Sequence, residues 1–98
     1  MTRDEAIEAL RREADALRAR GATALYLFGS TARGAATPGS DIDVFIEFDR
    51  TRVPSLFDLV AMQHHLENRV GAPVDLTTRD ALHPLLRNDI ESSAVRVF

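Results

Sequence analysis

The sequence predicts a small α/β (α+β) domain in which helices flank a mixed β-sheet. Two observations indicate this class: apolar residues recur at helical spacing in two long segments, and short β-branched and aromatic runs separate those segments. A chain of 98 residues is long enough for a single hydrophobic core, so we expect one domain over residues 1–98.

The first predicted element is an amphipathic helix over residues 3–20. Thr2 and Glu5 form a capping-box pattern at its start, and Gly21 supplies a C-terminal stop. One face of this helix carries an apolar stripe made of Ile7, Leu10, Ala14 and Leu17.

A buried strand and a tight turn are predicted next. The apolar run at 23–28 indicates the strand, and Gly29-Ser30 ends it. Residues 31–33 can form a short helical turn before the loop 34–40, which is rich in turn-forming residues.

The second strand is predicted at 41–48, and its two faces differ in character because successive side chains of a strand point to opposite faces. The expected core face consists of Ile42, Val44, Ile46 and Phe48. The other face begins with acidic residues and is expected to be open and functional. It consists of Asp41, Asp43, Phe45 and Glu47.

A second helix and a third strand follow. The helix is predicted over 54–70 with Pro54 in its first turn, and Gly71 ends it. Its expected apolar face consists of Leu56, Leu59, Val60, Leu66 and Val70. The third strand is predicted at 73–78.

The tail is predicted to form one more helix and a terminal strand. The helix is indicated by Leu82, Leu85, Leu86 and Ile90, with Pro84 in its first turn. Residues 94–98 have the composition of a strand at a sheet edge.

Composition restricts the function. The chain has no cysteine, which excludes disulfides and thiolate metal sites. Its 12 basic residues are all arginine and its net charge is −3, so composition does not favour direct binding of nucleic acid. No apolar stretch is long enough to span a membrane, and the N-terminus lacks the apolar region of a signal peptide, so we expect a cytoplasmic protein.

Two carboxylates and a glycine turn form the most informative pattern. Asp41 and Asp43 lie two residues apart at the start of a predicted strand, so their side chains share a face. The Gly29-Ser30 turn can present backbone N–H groups and a hydroxyl to a phosphate. Because carboxylates repel a phosphate unless a cation lies between them, the combination indicates that Mg²⁺ and a nucleotide bind here.

Asp75, in the third predicted strand, can join the same cluster. Three neighbouring carboxylates raise one another's pKa values unless a cation neutralises them, and oxygen ligands favour Mg²⁺ or Mn²⁺. Two such ions, about 3.5–4 Å apart, stabilise the attacking and departing oxygens in phosphoryl or nucleotidyl transfer. We expect Asp41 and Asp43 to hold both ions, and Asp75 to complete the ion that binds the acceptor hydroxyl and to accept its proton.

The substrate phosphates are assigned to the glycine turn. Ser30 and the backbone N–H groups around it, including that of Gly29, would hold the β- and γ-phosphates, which leave as pyrophosphate. Arg33 is the nearest cation to this leaving group, although a solvated loop arginine or a contact with a partner protein is an equally good interpretation of it.

The sequence also resembles a known family. The run Leu27–Gly34, LFGSTARG, followed by Ser40–Asp43, SDID, resembles the signature of the DNA polymerase beta-like nucleotidyltransferase superfamily. Its small size and motif form are similar to the minimal branch, the MNT-domain proteins, and Asp75 matches their third catalytic aspartate. Thr31 departs from the branch, whose members often carry Arg or Tyr after Gly-Ser. The resemblance implies the polymerase beta-like nucleotidyltransferase fold and ATP as the substrate.

The resemblance also implies a partner. MNT-domain proteins are commonly paired with a HEPN-domain ribonuclease in toxin–antitoxin modules, where some transfer AMP from ATP to a tyrosine of the toxin. We therefore expect a Mg²⁺-dependent protein adenylyltransferase that acts as the antitoxin of a type VII-like module. Two alternatives stay open. One is an antitoxin that neutralises the HEPN ribonuclease by binding alone, and the other is a nucleotidyltransferase for a small molecule.

Overall fold

The computed structural model describes residues 1–35, 37 and 39–98, so Ala36 and Pro38 of the predicted loop lie outside the described residues. The helices are Arg3–Arg11 (α1), Ala14–Ala19 (α2), Gly29–Ala32 (α3), Leu56–Val70 (α4) and Arg87–Ser93 (α5), with a 3₁₀ turn at Arg79–Ala81. The strands are Ala22–Phe28 (β1), Ile42–Phe48 (β2), Val74–Thr78 (β3) and Val95–Arg96 (β4). No helix in the described part of the chain is long and apolar enough to cross a membrane.

The four strands form one mixed sheet in the order β3-β2-β1-β4. β1 pairs antiparallel with both β2 and β4, whereas β2 and β3 are parallel. The predicted small mixed sheet flanked by helices is confirmed, and the terminal strand lies at an edge as expected. β2, which follows Asp41 and carries Asp43, therefore lies between β1 and the strand that carries Asp75.

The core lies on one face of this sheet, under α1, α2 and α4. The predicted core face of β2 is confirmed for Ile42, Val44 and Ile46, which are at most 1% exposed, while Phe48 is only partly buried. The helical side of the core is contributed by Ala6, Leu10, Leu17, Met62, Leu66 and Val70. The acidic residues of β2 lie on the opposite face of the sheet.

The prediction that this opposite face is open is wrong at Phe45, which is 1% exposed. The ring of Tyr26 stacks on Phe45 with centroids 4.8 Å apart, and the ring of Phe28 lies 5.7 Å away. Both neighbours come from β1, so the strand pairing that places Tyr26 opposite Phe45 also covers it.

The prediction of one helix over residues 3–20 is also wrong, since the helix is interrupted after Arg11 and resumes at Ala14. The Thr2–Glu5 capping box at its start is confirmed. At the interruption, the Oε1 atom of Glu13 lies 2.7 Å from Nε2 of His65 on α4. A contact with a distant helix thus accompanies the break.

α4 begins later than predicted. Ser55 and Asp58 form a capping box, so Pro54 precedes the cap instead of lying in the first turn, while Gly71 ends the helix in a left-handed conformation as expected. The predicted apolar face is wrong at Leu56 and Val60, which are 73% and 46% exposed. At 3.6 residues per turn these positions lie about 80° and 120° around the helix from Leu66, which is buried.

The tail helix is shorter than predicted. A 3₁₀ turn capped by Thr78 precedes Leu82, and α5 begins only at Arg87, so Pro84 lies outside it. Residues 84–86 instead form a turn closed by a hydrogen bond from the N–H of Leu86 to the carbonyl oxygen of His83, and α5 starts beyond this turn. Leu85 and Leu86 are consequently exposed instead of packed.

Candidate active site

Strand register brings two of the predicted site residues together. Asp43 on β2 and Asp75 on β3 are direct partners in the parallel pair. Partners in register share a face of the sheet, so the two carboxylates lie side by side. Asp41 immediately precedes β2 and is exposed. Asp41, Asp43 and Asp75, called the acid cluster below, therefore gather where β2 and β3 begin.

Gly29 lies directly against this acid cluster. β1 ends at Phe28, the register partner of Asp43, and α3 begins at the next residue. A Cβ atom on residue 29 would lie 2.4 Å from Oδ2 of Asp43, and the φ angle of Gly29 is +73°. Both the contact and the backbone conformation require glycine at this position. The start of α3 is thus held against a carboxylate of the site.

The electrostatic environment of Asp43 reflects the crowding of negative charge. Partial burial raises the pKa of the Asp43 carboxyl above its ordinary value, and the nearby charges of Asp75 and Asp41 raise it further. The guanidinium of Arg33 acts in the opposite direction and lowers this pKa. Arg33 is therefore close enough to influence the acid cluster, although its side chain is exposed.

The donor set fits a divalent cation of the Mg²⁺ type. It consists of carboxylate oxygens alone, which are the ligands that hard cations prefer, and the mutual repulsion at Asp43 is what a bound cation would offset. Among the residues that the structure describes, no three His, Cys, Asp or Glu side chains are already arranged around a position for a metal ion. A bound ion would therefore require the three carboxylates to converge more closely than they do in the structure.

α3 forms the part of the site where we expect the phosphates of the substrate to bind. The helix follows β1 without a linker, and the first N–H groups of any helix have no partner within it. Ser30 is half-buried in this first turn, and Thr31 behind it is 2% exposed. Gly29, Ser30 and Arg33 thus lie on one short segment that begins next to the acid cluster.

Sequence reasoning missed an ionic network on the same face of the sheet. The guanidinium of Arg79 contacts the carboxylates of Glu47 and Glu91, and it lies over the rings of Tyr26 and Phe45. These contacts hold α5, which carries Glu91, against the sheet. No local pattern indicates these contacts, because Arg79 lies in the 3₁₀ turn beyond β3, where the alternation of strand side chains no longer applies.

A cavity of about 640 Å³ lies away from the acid cluster. Its walls come from the far ends of β2 and β3 and from the segment before α4, including Phe48, Val53 and Arg79. The acids lie at the opposite ends of the same strands, so this cavity is separate from the site that their charges define.

Residues 6–97 match the family model described as the nucleotidyltransferase domain. The chain belongs to this family. Two proteins of Methanocaldococcus jannaschii, named as candidate protein adenylyltransferases, are similar to this nucleotidyltransferase. One is 39% identical over 74% of each chain, and the other is 42% identical over 74% of this chain and 75% of the relative. The protein adenylyltransferase MntA of Thermococcus cleftensis is 34% identical over 63% of this chain and 61% of its own length.

Solved structures agree with this assignment. A structure described as a candidate minimal nucleotidyltransferase superposes on the nucleotidyltransferase with a TM-score of 0.77 and 33% identity, covering 97% of this chain and 95% of the other. This match confirms the minimal nucleotidyltransferase fold that the sequence predicts.

Two more distant matches come from solved toxin–antitoxin structures. One contains AMP-PNP, with a TM-score of 0.73 and 18% identity over 100% of this chain and 73% of the other. The second contains a tri-AMPylated Shewanella oneidensis HEPN toxin in complex with an MNT antitoxin. It matches with a TM-score of 0.68 and 16% identity, covering 94% of this chain and 71% of the other. At this identity the two structures show a shared fold only.

Proposed function

We propose that this nucleotidyltransferase transfers AMP from ATP to a tyrosine of a cognate HEPN-domain toxin, and so acts as the antitoxin of a type VII-like module. The observation that carries the proposal is the register pairing of Asp43 with Asp75 beside the start of α3 at Gly29. Relatives named as protein adenylyltransferases support a protein acceptor. The AMPylated HEPN toxin bound to a protein of the same fold supports the class of partner.

The proposed reaction exchanges a phosphoanhydride bond of ATP for a phosphoester bond to the tyrosine. The tyrosine oxygen attacks the α-phosphorus of ATP, the bond to the bridging oxygen breaks, and pyrophosphate leaves. Ser30 and the N–H groups at the start of α3 bind the β- and γ-phosphates, and the positive charge of Arg33 stabilises the leaving pyrophosphate. The carboxylate of Asp75 accepts the proton of the tyrosine hydroxyl.

Asp41, Asp43 and Asp75 would together hold Mg²⁺, with Mn²⁺ as a substitute and two ions as the expected number. Bound ions of this kind neutralise triphosphate charge and make the acceptor hydroxyl easier to deprotonate. Without bound metal ions the acid cluster would repel the triphosphate. We therefore propose that the main role of the acid cluster is to bind metal, and that proton transfer is an additional role of Asp75.

Neutralisation by binding alone is the second candidate function, and an exposed apolar surface favours it. Val53, Leu56 and Phe57 at the start of α4 are 79%, 73% and 85% exposed. Side chains of this size and type are typical of protein contact surfaces. Such a contact is also compatible with catalysis. The two functions therefore differ only in whether neutralisation is lost when the acid cluster is substituted.

Label transfer from α-labelled ATP tests the proposal. We expect the toxin to become labelled in the presence of Mg²⁺, and we expect Asp43→Asn to abolish both labelling and growth rescue. Asp15→Asn is the matched control, because Asp15 is a fully exposed residue of α2 outside the site. If Asp43→Asn rescues growth as well as wild type, binding alone suffices and the enzymatic account of neutralisation is wrong.

A further inference from the structure

α4 makes two side-chain hydrogen bonds to the backbone of the strand that carries Asp75. Oε1 of Gln63 accepts the N–H of Leu76 at 3.1 Å, and Oε2 of Glu67 accepts the N–H of Val74 at 3.1 Å. The two donors are the residues immediately before and after Asp75. We infer that Gln63 and Glu67 are positioning residues, which hold β3 in the register that places Asp75 beside Asp43. This inference rests on the proposed role of Asp75.

β3 needs such partners because it lies at an edge of the sheet with β2 as its one neighbour. In a parallel pair, alternate residues of an edge strand direct their N–H groups away from the neighbouring strand. The register that pairs Asp43 with Asp75 turns the N–H groups of Val74 and Leu76 outwards. Val74 is 3% exposed, so water has little access there and a protein acceptor is needed.

The geometry of α4 matches this task. Gln63 and Glu67 lie four residues apart, so they share a helix face and are separated by about 6 Å along its axis. Val74 and Leu76 lie two residues apart on a strand, a distance of about 6.6 Å. The two spacings agree, and the helix runs antiparallel to the strand, so both bonds form together at a single register.

The placement of Glu67 supports a role outside its own helix. Glu67 lies in the last turn of α4, where the helix dipole disfavours a negative charge. The hydrogen bond to Val74 compensates for this placement. If β3 shifted by one residue, Asp75 would turn to the apolar face of the sheet and both acceptors would lose their donors. The side chains of α4 therefore bias the strand towards the register in which the acids meet.

Substitutions that remove only the acceptor atoms test this inference. Gln63→Met and Glu67→Met keep most of the side-chain length, and we expect each to weaken Mn²⁺ binding by about tenfold, measured by calorimetry with a non-hydrolysable ATP analogue. Gln63→Glu and Glu67→Gln retain an acceptor oxygen, and we expect them to keep the Mn²⁺ affinity within about twofold of wild type. His64→Met is the matched control on the exposed side of the same helix.

Amide hydrogen exchange provides a second measurement that does not depend on metal or catalysis. We expect the N–H groups of residues 74 and 76 to exchange faster in the Met variants, while the amides of β1 stay protected. Wild-type exchange, or wild-type Mn²⁺ affinity in folded Met variants, would overturn the inference. Asp75→Asn separates this outcome from failure of the proposed function, because unchanged Mn²⁺ affinity in that variant would overturn the metal site itself.

Discussion

Gly29 and Asp43 approach each other so closely that a methyl group on residue 29 would lie 2.4 Å from Oδ2 of Asp43. Gly34 has nearly the same φ angle, +71° against +73°, but a methyl group there would meet no atom within 4 Å among residues 1–35, 37 and 39–98. The two glycines therefore share a backbone requirement and differ in their contact with the carboxylate. This difference makes them a matched pair for mutation.

We expect Gly29→Ala to reduce the rate of AMP transfer by about 100-fold, because the displaced carboxylate no longer holds its reactive geometry. Gly34→Ala carries a similar backbone cost of about 1 kcal/mol and should leave the rate within about twofold of wild type. Single-turnover transfer and urea unfolding measure the two effects separately. Equal losses of rate in the two variants would mean that the contact with Asp43 is unimportant.

The stability of the metal-free protein should depend on pH through Asp43. Partial burial and the neighbouring acids raise the pKa of this carboxyl in the folded protein above its ordinary value of 3.8. The folded state then binds more protons than the unfolded state, so the free energy of unfolding falls as the pH rises above about that value. We expect Asp43→Asn to be more stable than wild type at pH 7 with EDTA present, and the difference to vanish at acidic pH. Urea unfolding over a pH series measures this, and a difference that does not vary with pH would contradict it.

Bound metal should reverse this order, so that wild type becomes more stable than Asp43→Asn. Mn²⁺ with a non-hydrolysable ATP analogue binds the folded state, so we expect it to raise the Tm of wild type by several degrees in proportion to the logarithm of its concentration. Asp43→Asn should show a much smaller shift, because one of the proposed ligands is missing. Thermal scans with EDTA, with Mn²⁺ and with Mn²⁺ plus analogue provide the comparison. Identical shifts in the two proteins would exclude Asp43 from the metal site.

Arg33 should affect substrate binding more than folding. Its guanidinium is exposed but close enough to lower the pKa of Asp43. We expect Arg33→Met to raise the KM for ATP by about fivefold to tenfold with little change in Tm, and Arg33→Lys to recover part of the loss. Arg50→Met is the control, because Arg50 lines the distant cavity. If both arginines have the same small effect, Arg33 is a solvated loop residue.

Arg79 should contribute to stability through α5. Replacing it by Met leaves Glu47 and Glu91 without their shared partner and removes the cation from the rings of Tyr26 and Phe45. We expect a loss of about 1 kcal/mol in the free energy of unfolding, since the site is partly exposed. Arg87 contacts Glu91 and Asp80 in a more exposed position, so Arg87→Met should reduce the free energy of unfolding by less. The reverse ranking in urea unfolding would show that the network does not depend on Arg79.

The first three strands could be predicted to within one residue because their apolar runs lie next to turn residues such as Gly29 and Gly71, whereas the terminal strand, predicted over 94–98, is confined to Val95–Arg96. The interruption after Arg11 could not, since Leu10, Ala14 and Leu17 keep the phase of a continuous helix across it. The contact that accompanies the break joins Glu13 to a residue 52 positions away, which local periodicity does not contain.

The proximity of the acids and of the glycine turn could be predicted, because motif spacing and strand alternation place them near one another. The contacts around them could not be predicted from the same patterns. The burial of Phe45 depends on which strand pairs with β2, and the contact of Arg79 with Glu47 depends on the path of the chain beyond β3. The hydrogen bonds that Gln63 and Glu67 accept depend on the placement of α4 beside the edge strand β3, which the sequence of α4 alone does not predict.

Because Asp43 and Asp75 meet through the pairing of their strands, main-chain geometry fixes the spacing of this acid pair. Surface side chains that contact neither β2 nor β3 can diverge without disturbing that spacing. Substitutions elsewhere on the surface could thus accumulate one at a time during evolution while the geometry of the acid pair stays constant.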